Sequence, residues 1–80
     1  MNANEMLAMH TTDPAKAWED RKLFVHNLGE LLSQTREDII SAELARNEIV
    51  TVTYSNGGTK HINVEMDSYM AIIRDVTKHL

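Results

Sequence analysis

The chain of 80 residues contains no cysteine, which excludes disulfides, thiolate metal sites and cysteine nucleophiles. Small secreted domains lean on disulfide staples, so this absence points to a reducing, cytoplasmic location. Proline occurs once and glycine three times, so there is no Pro/Gly-rich linker. Nor is there an internal repeat or a low-complexity tract. The aromatics are only Trp18, Phe24, Tyr54 and Tyr69, all at positions that read as core. Stacking platforms for single-stranded nucleic acid need exposed rings flanked by basic charge instead. Basic charge is also short: 8 Lys and Arg against 12 Asp and Glu leave a formal charge of −4. The densest basic stretch, Lys16, Arg21 and Lys22, is interleaved with Glu19 and Asp20. Phosphate binding calls for a clustered surface. The start, Met1 to Met6, lacks the basic segment and apolar core of a signal peptide. No apolar run approaches the length needed to span a bilayer.

What the chain does hold is concentrated between Ile49 and Leu80. Glu48 to Tyr54 is rich in β-branched and aromatic residues that suit a half-buried pleated surface. Asn56-Gly57-Gly58 then signals a turn, because these residues tolerate positive φ, and Thr59 to Val64 resumes the alternation. A two-residue loop at Asn56-Gly57 would oppose Val52 to His61 and Thr51 to Ile62, mixing apolar and polar on both faces. A three-residue loop, Asn56 to Gly58, opposes Val52 to Ile62, Val50 to Val64 and Tyr54 to Lys60. Thr51, Thr53, His61 and Asn63 then share the outer face. Burial of one face selects this second register, with Gly58 as the left-handed residue of the loop. An amphipathic helix follows. At about 100° per residue, Tyr69, Met70, Ile72, Ile73, Val76 and Leu80 share one arc, and Asp67, Arg74, Asp75 and Lys78 lie opposite. Asp67 is the expected N-cap, and the apolar arc is expected to cover Val50, Val52, Ile62 and Val64.

In the first half, Asp13-Pro14 is a helix-start signal, with aspartate as N-cap and proline at the first helical position. Ala17, Trp18, Phe24, Val25, Leu28, Leu31 and Leu32 recur at helical spacing and predict a first helix from about Pro14 to Ser33. Gly29 either permits close contact with another element or ends the helix near Asn27; inside a helix it costs about 1 kcal/mol relative to alanine. A helix unbroken to Asn47 would far exceed the usual length of about 11–12 residues, so a break is expected near Ser33-Gln34-Thr35. A second helix is expected from about Arg36 to Asn47, with Thr35 and Asp38 as a capping pair and Ile39, Ile40, Ala42 and Leu44 as its apolar side. Residues 1–12, with Met6, Leu7 and Met9 their apolar members, read as a flexible leader to a single domain at 13–80. The expected fold class is α+β: two N-terminal helices, a two-stranded antiparallel β-hairpin and a C-terminal amphipathic helix (α-α-β-β-α).

Chemistry is harder to find. His10 lies in the leader, His61 on the outer hairpin face and His79 near the chain end. His26 with Glu30 one turn on falls short of the three or four ligands of a zinc site and reads as a surface pair. Glu19-Asp20 and Glu37-Asp38 are neighbours whose side chains diverge by about 100° on a helix. GxSxG, P-loop and GxGxxG motifs are absent. Asn56-Gly57-Gly58 leads into a strand and so lacks the helix N-terminus that cradles phosphate, while Ser55 and Thr59 read as its turn partners. No catalytic, cofactor-binding or metal-ligating residue is therefore expected, and no enzyme.

The expectation that remains is a small intracellular, non-enzymatic accessory or adaptor module. Its partner would be another protein or a second copy, joined through unpaired hairpin edges as in a homodimer. Contacts with membrane, nucleic acid or a small-molecule substrate are not expected. The alternative, a nucleic-acid-associated regulator, rests on size and scattered Arg and Lys alone. A third reading makes Thr51, Thr53, His61 and Asn63 the floor of a ligand site, but it offers one base with no partner to orient it.

Overall fold

A computed structural model describes residues 14–80, so the expected leader and the expected Asp13 cap lie outside the described residues. Helix α1 spans Pro14–Thr35, followed by strands β1 (Ile39–Leu44), β2 (Ile49–Tyr54) and β3 (Thr59–Asn63) and helix α2 (Tyr69–Lys78). The strands form one antiparallel sheet in the order β1-β2-β3. Both helices pack on the same face of it. Their buried residues Phe24, Val25, Leu28, Ile72 and Val76 share one core with Ile39, Ala42, Leu44, Val50, Val52, Ile62 and Val64.

The fold class remains α+β, but its expected parts need correction. Among the described residues there is one N-terminal helix, not two, and the sheet has three strands, not two. The segment expected as a helix from Arg36 to Asn47 is the turn into β1, β1 itself and the turn into β2. Thr35 does not cap a second helix; it ends the first, its hydroxyl donating to the Leu32 carbonyl at 3.1 Å. Arg36 then clamps Asp38 with two bonds of 3.0 and 2.7 Å, and the chain reverses. Ala42, Glu43 and Leu44 favour helix locally, but β2 needs a partner on this side, and tertiary pairing overrides propensity.

A bulge hides the strand. Ile39 opposes Tyr54 and Ser41 opposes Thr53, leaving Ile40 as the extra residue. The inward set is thus Ile39, Ala42 and Leu44, whose first spacing mimics a helical turn. Across this strand α1 runs straight through Gly29. A Cβ there would stand 3.0 Å from both Cα and Cβ of Ala42 and nearer still to its nitrogen. Glycine is needed for this close approach.

The hairpin keeps the expected faces and shifts its register by two. Val50 opposes Ile62, Thr51 opposes His61 and Val52 opposes Lys60. Even-numbered Val50, Val52, Ile62 and Val64 are buried, as the alternation required. The loop keeps three residues but begins at Ser55: Tyr54 N–H bonds the Gly58 carbonyl at 2.8 Å, and Gly57, not Gly58, has positive φ (88°). In α2 the N-cap is Ser68, whose hydroxyl accepts from Ala71 N–H at 3.2 Å, not Asp67. Ile72 and Val76 are buried, and Tyr69, Ile73 and Leu80 pack against the core, with the Tyr69 ring stacked on Phe24 at 4.5 Å. Met70 and Leu31, both expected inside, are 61% and 57% exposed.

Candidate functional site

The hydrogen-bonding parity of the strands decides which backbone groups are free. Val64 N–H donates to the Glu48 carbonyl (2.9 Å) and Tyr54 N–H to Gly58, so even-numbered residues carry the bonds between β2 and β3. Thr59, His61 and Asn63 therefore turn their N–H and C=O groups away from β2, along the outer edge of a terminal strand. On the other side Ala45 N–H donates to Ile49 C=O (3.0 Å), and Glu43 opposes Thr51 two residues on. Odd-numbered residues of β1 bond to β2 there, and Ala42 and Leu44 face outwards.

The two edges are not equivalent. β1 carries the Ile40 bulge, the backbone of Gly29 against Ala42, and a side-chain tie from Glu43 to α1. β3 carries a single inward-facing charge: Lys60 reaches round to donate to the His79 carbonyl at 2.5 Å. Its outer face is polar. His61 is exposed, with Nδ1 3.2 Å from Thr51 Oγ1 and Nε2 3.5 Å from Thr59 Oγ1. These hydroxyls flank the imidazole without supplying the carboxylate that would orient a general base.

The tie at β1 centres on His26. Its Nδ1 lies 2.7 Å from Glu43 Oε1 and its Nε2 3.1 Å from Glu30 Oε1. A neutral imidazole has one N–H, so both bonds form together only in the imidazolium. The Glu43 bond above all holds the His26 pKa above its ordinary value, with Glu30 adding to it. Glu19, Lys22 and Leu23 join His26 and Glu43 around a shallow, open depression of about 240 Å³. The His26–Glu30 pair was legible as an i, i+4 spacing. Glu43 was not, because its segment read as helix.

A third cluster is structural. Arg21 donates to the Asp67 carbonyl at 2.7 Å, to Glu48 Oε2 at 2.6 Å and to the Val64 carbonyl at 3.2 Å, pinning α1 to the turns on either side of the β2–β3 hairpin. Glu48 and Met66 hold positive φ (62° and 66°) in those turns. Asp67, expected as a cap, instead shares a hydrogen bond with Asp75 that raises its pKa and lowers that of Asp75.

Of the three basic residues singled out in the sequence, Lys16 and Arg21 face acids and Lys22 lines the depression beside His26. Lys16 lies 3.6 Å from Asp20, Arg21 is held as above, and Arg46 sits 5.5 Å over the Trp18 ring. Arg36 binds Asp38, holding its carboxyl below the usual range, and Arg74 binds Asp75. Trp18 and Tyr54 pack partly buried against the core, and Phe24 lies inside it. His10 falls outside the described residues, and exposed His79 caps the C-terminus of α2. Among the described residues no group of three or more His, Cys, Asp or Glu is placed to hold a metal ion, and no helix is long and apolar enough to cross a membrane. No protein family matches this chain, and neither a curated protein nor a solved structure is similar enough to count as a match.

Proposed function

We propose that this chain is a non-enzymatic, cytoplasmic interaction module whose contact element is the outer edge of β3, with a second copy as its partner. One observation carries the reading: Thr59, His61 and Asn63 present N–H and C=O groups along a terminal strand that no other described element pairs. Such an edge templates strand addition, in which backbone bonds supply affinity and alternate side chains supply selectivity. The Thr, His and Asn side chains there add donors and acceptors without fixed charge. The nucleic-acid alternative draws no support from a basic surface in which Arg21, Arg36, Arg74 and Lys16 each already face an acid.

The test is sedimentation of the full chain from micromolar to millimolar concentration, beside His61→Pro. The His61 N–H lies outside the ladder, so proline there removes an edge donor while leaving the internal sheet bonds intact. Mass rising with concentration in the wild type, and not in a His61→Pro variant with unchanged circular dichroism, is the expected result. A wild type that stays monomeric throughout, or a variant that associates equally well, overturns the proposal.

A further inference from the structure

Two unmatched polar atoms lie where α1 meets the turn between β3 and α2. Among the described residues, Arg21 Nε is buried and donates to no acceptor, and Asp67 Oδ2 is buried and accepts from no donor. One is a donor on a cation and the other an acceptor on an acid. Their residues are already joined, since Arg21 Nη1 donates to the Asp67 carbonyl at 2.7 Å. The Asp67 carboxyl meets Asp75 of α2 instead. Two carboxyl groups form a hydrogen bond only while one of them keeps its proton.

We propose that Asp67 is a proton-operated switch between the two helices: protonated, it donates to Asp75 and ties the β3–α2 turn to α2; ionised, it turns to Arg21 Nε and adds a second bond between the same turn and α1. Loss of the proton leaves two carboxylates face to face, and their repulsion parts them. Asp75 has somewhere to go. It is partly exposed, and Arg74 Nε already lies 3.1 Å from its Oδ1. Asp67 does not, because a buried carboxylate without a donor is costly. Arg21 supplies that donor from a nitrogen that otherwise has no acceptor, and the bond is charge-assisted. One new bond thus satisfies both unmatched atoms. The charged groups around the pair are Arg21 from α1, Glu48 from the β1–β2 turn, held by Arg21 Nη2, and Arg74 and Lys78 from α2. The nearest acid, Asp75, outweighs the two arginines at Asp67, so the changeover falls above the ordinary carboxyl range. The switch is independent of the role given to β3 and requires no partner.

NMR of the full chain tests it through three signals followed from acid to mildly alkaline pH: the carboxyl carbons of Asp67 and Asp75 and the Nε–H proton of Arg21. Asp67 is expected to titrate above the usual aspartate value of about 3.9 and Asp75 below it. The Arg21 Nε–H resonance is expected to move downfield with the Asp67 inflection and to ignore that of Asp75. In Asp75→Asn the side-chain amide donates to the Asp67 carboxylate, so the Asp67 titration is expected to shift down. In Asp67→Asn the Arg21 signal is expected to stay at one position throughout. An Arg21 signal that is indifferent to the Asp67 proton in the wild type overturns the proposal. So does one that moves equally in Asp67→Asn, or an Asp67 titration unmoved in Asp75→Asn.

Discussion

Replacing Gly29 with alanine sets two opposed effects against each other, and the structure decides between them. Within an exposed helix the change would stabilise by about 1 kcal/mol, since alanine has the higher propensity. Gly29 is buried against β1, and the new Cβ would meet the nitrogen, Cα and Cβ of Ala42, the latter two at 3.0 Å. Two of these atoms are backbone, so no flexible side chain end can swing aside. Either α1 lifts from the sheet or β1 bends. Overpacking of this kind typically costs about 1–3 kcal/mol, and with backbone in the way the upper part of that range applies. The net expectation for Gly29→Ala is a loss of about 1–2 kcal/mol, with Gly29→Val worse because the branched side chain also strains χ1 in a helix. Urea denaturation followed by circular dichroism and Trp18 fluorescence measures it, the midpoint falling at constant slope. Ala42→Gly added to Gly29→Ala is expected to restore part of the loss, because it removes one of the three obstructing atoms. A Gly29→Ala protein as stable as the parent, or more so, would refute the close approach and with it the seam between α1 and β1.

Gly57 has positive φ and open space around its missing Cβ, so Gly57→Ala is expected to cost about 1 kcal/mol by backbone strain alone, read from the urea midpoint, and Gly57→Asn less. Ile72→Ala, at a fully buried position, is expected to cost about 2–5 kcal/mol, whereas Met70→Ala at an exposed position is expected to stay within about 0.5 kcal/mol, a contrast that thermal melts resolve. The pKa of His26 is raised above its unfolded value of 6.5, so its contribution to stability is fully present below 6.5 and is lost as pH rises through the folded value. Urea midpoints of the wild type and His26→Gln are therefore expected to converge towards alkaline pH; a gap that widens there would contradict the bond to Glu43.

The legible parts of the fold are those where a single period runs unbroken. From Val50 to Val64 the alternation assigns each side chain to a face, and burial of one face fixes the parity whichever loop is chosen. Parity alone does not separate Val52 opposite Ile62 from Val50 opposite Ile62, because a shift of two keeps all faces. The turn made that choice: Gly58 N–H donates to Asn56 Oδ1 at 2.8 Å, and Gly57 absorbs the positive φ. In α2 the arc located Ile72 and Val76 but also drew in Met70, since a helical wheel records direction and not how far the sheet extends beneath it. β1 was illegible for a different reason. A bulge at Ile40 breaks period two within a six-residue strand, and Ala42-Glu43-Leu44 is a sequence that favours helix when taken alone. With β1 hidden, Glu43 could not be placed beside His26, and only the His26–Glu30 half of that cluster had a sequence signature.

The geometry of β3 also limits how two copies could meet. Bonds across an added antiparallel strand must join odd-numbered residues to odd-numbered residues, since only these face outwards. A two-fold axis at residue 60 sets Lys60 against its own copy on the inner face, and like charges directly opposite are destabilising. An axis at residue 61 pairs Thr59 with Asn63 on the outer face and uses all three outward residues on each strand. An axis at residue 62 stacks Ile62 on Ile62 but uses only His61 and Asn63, because beyond Asn63 the chain is already turning, with Glu65 N–H bonded to Asn63 Oδ1 at 2.8 Å. Hydrogen-bond number thus favours the axis at residue 61. Lys60 then faces Ile62 of the other strand, where its stem can lie along the apolar surface while its ammonium keeps the bond to the His79 carbonyl. The inward lysine does not close the edge; it rejects one register among three.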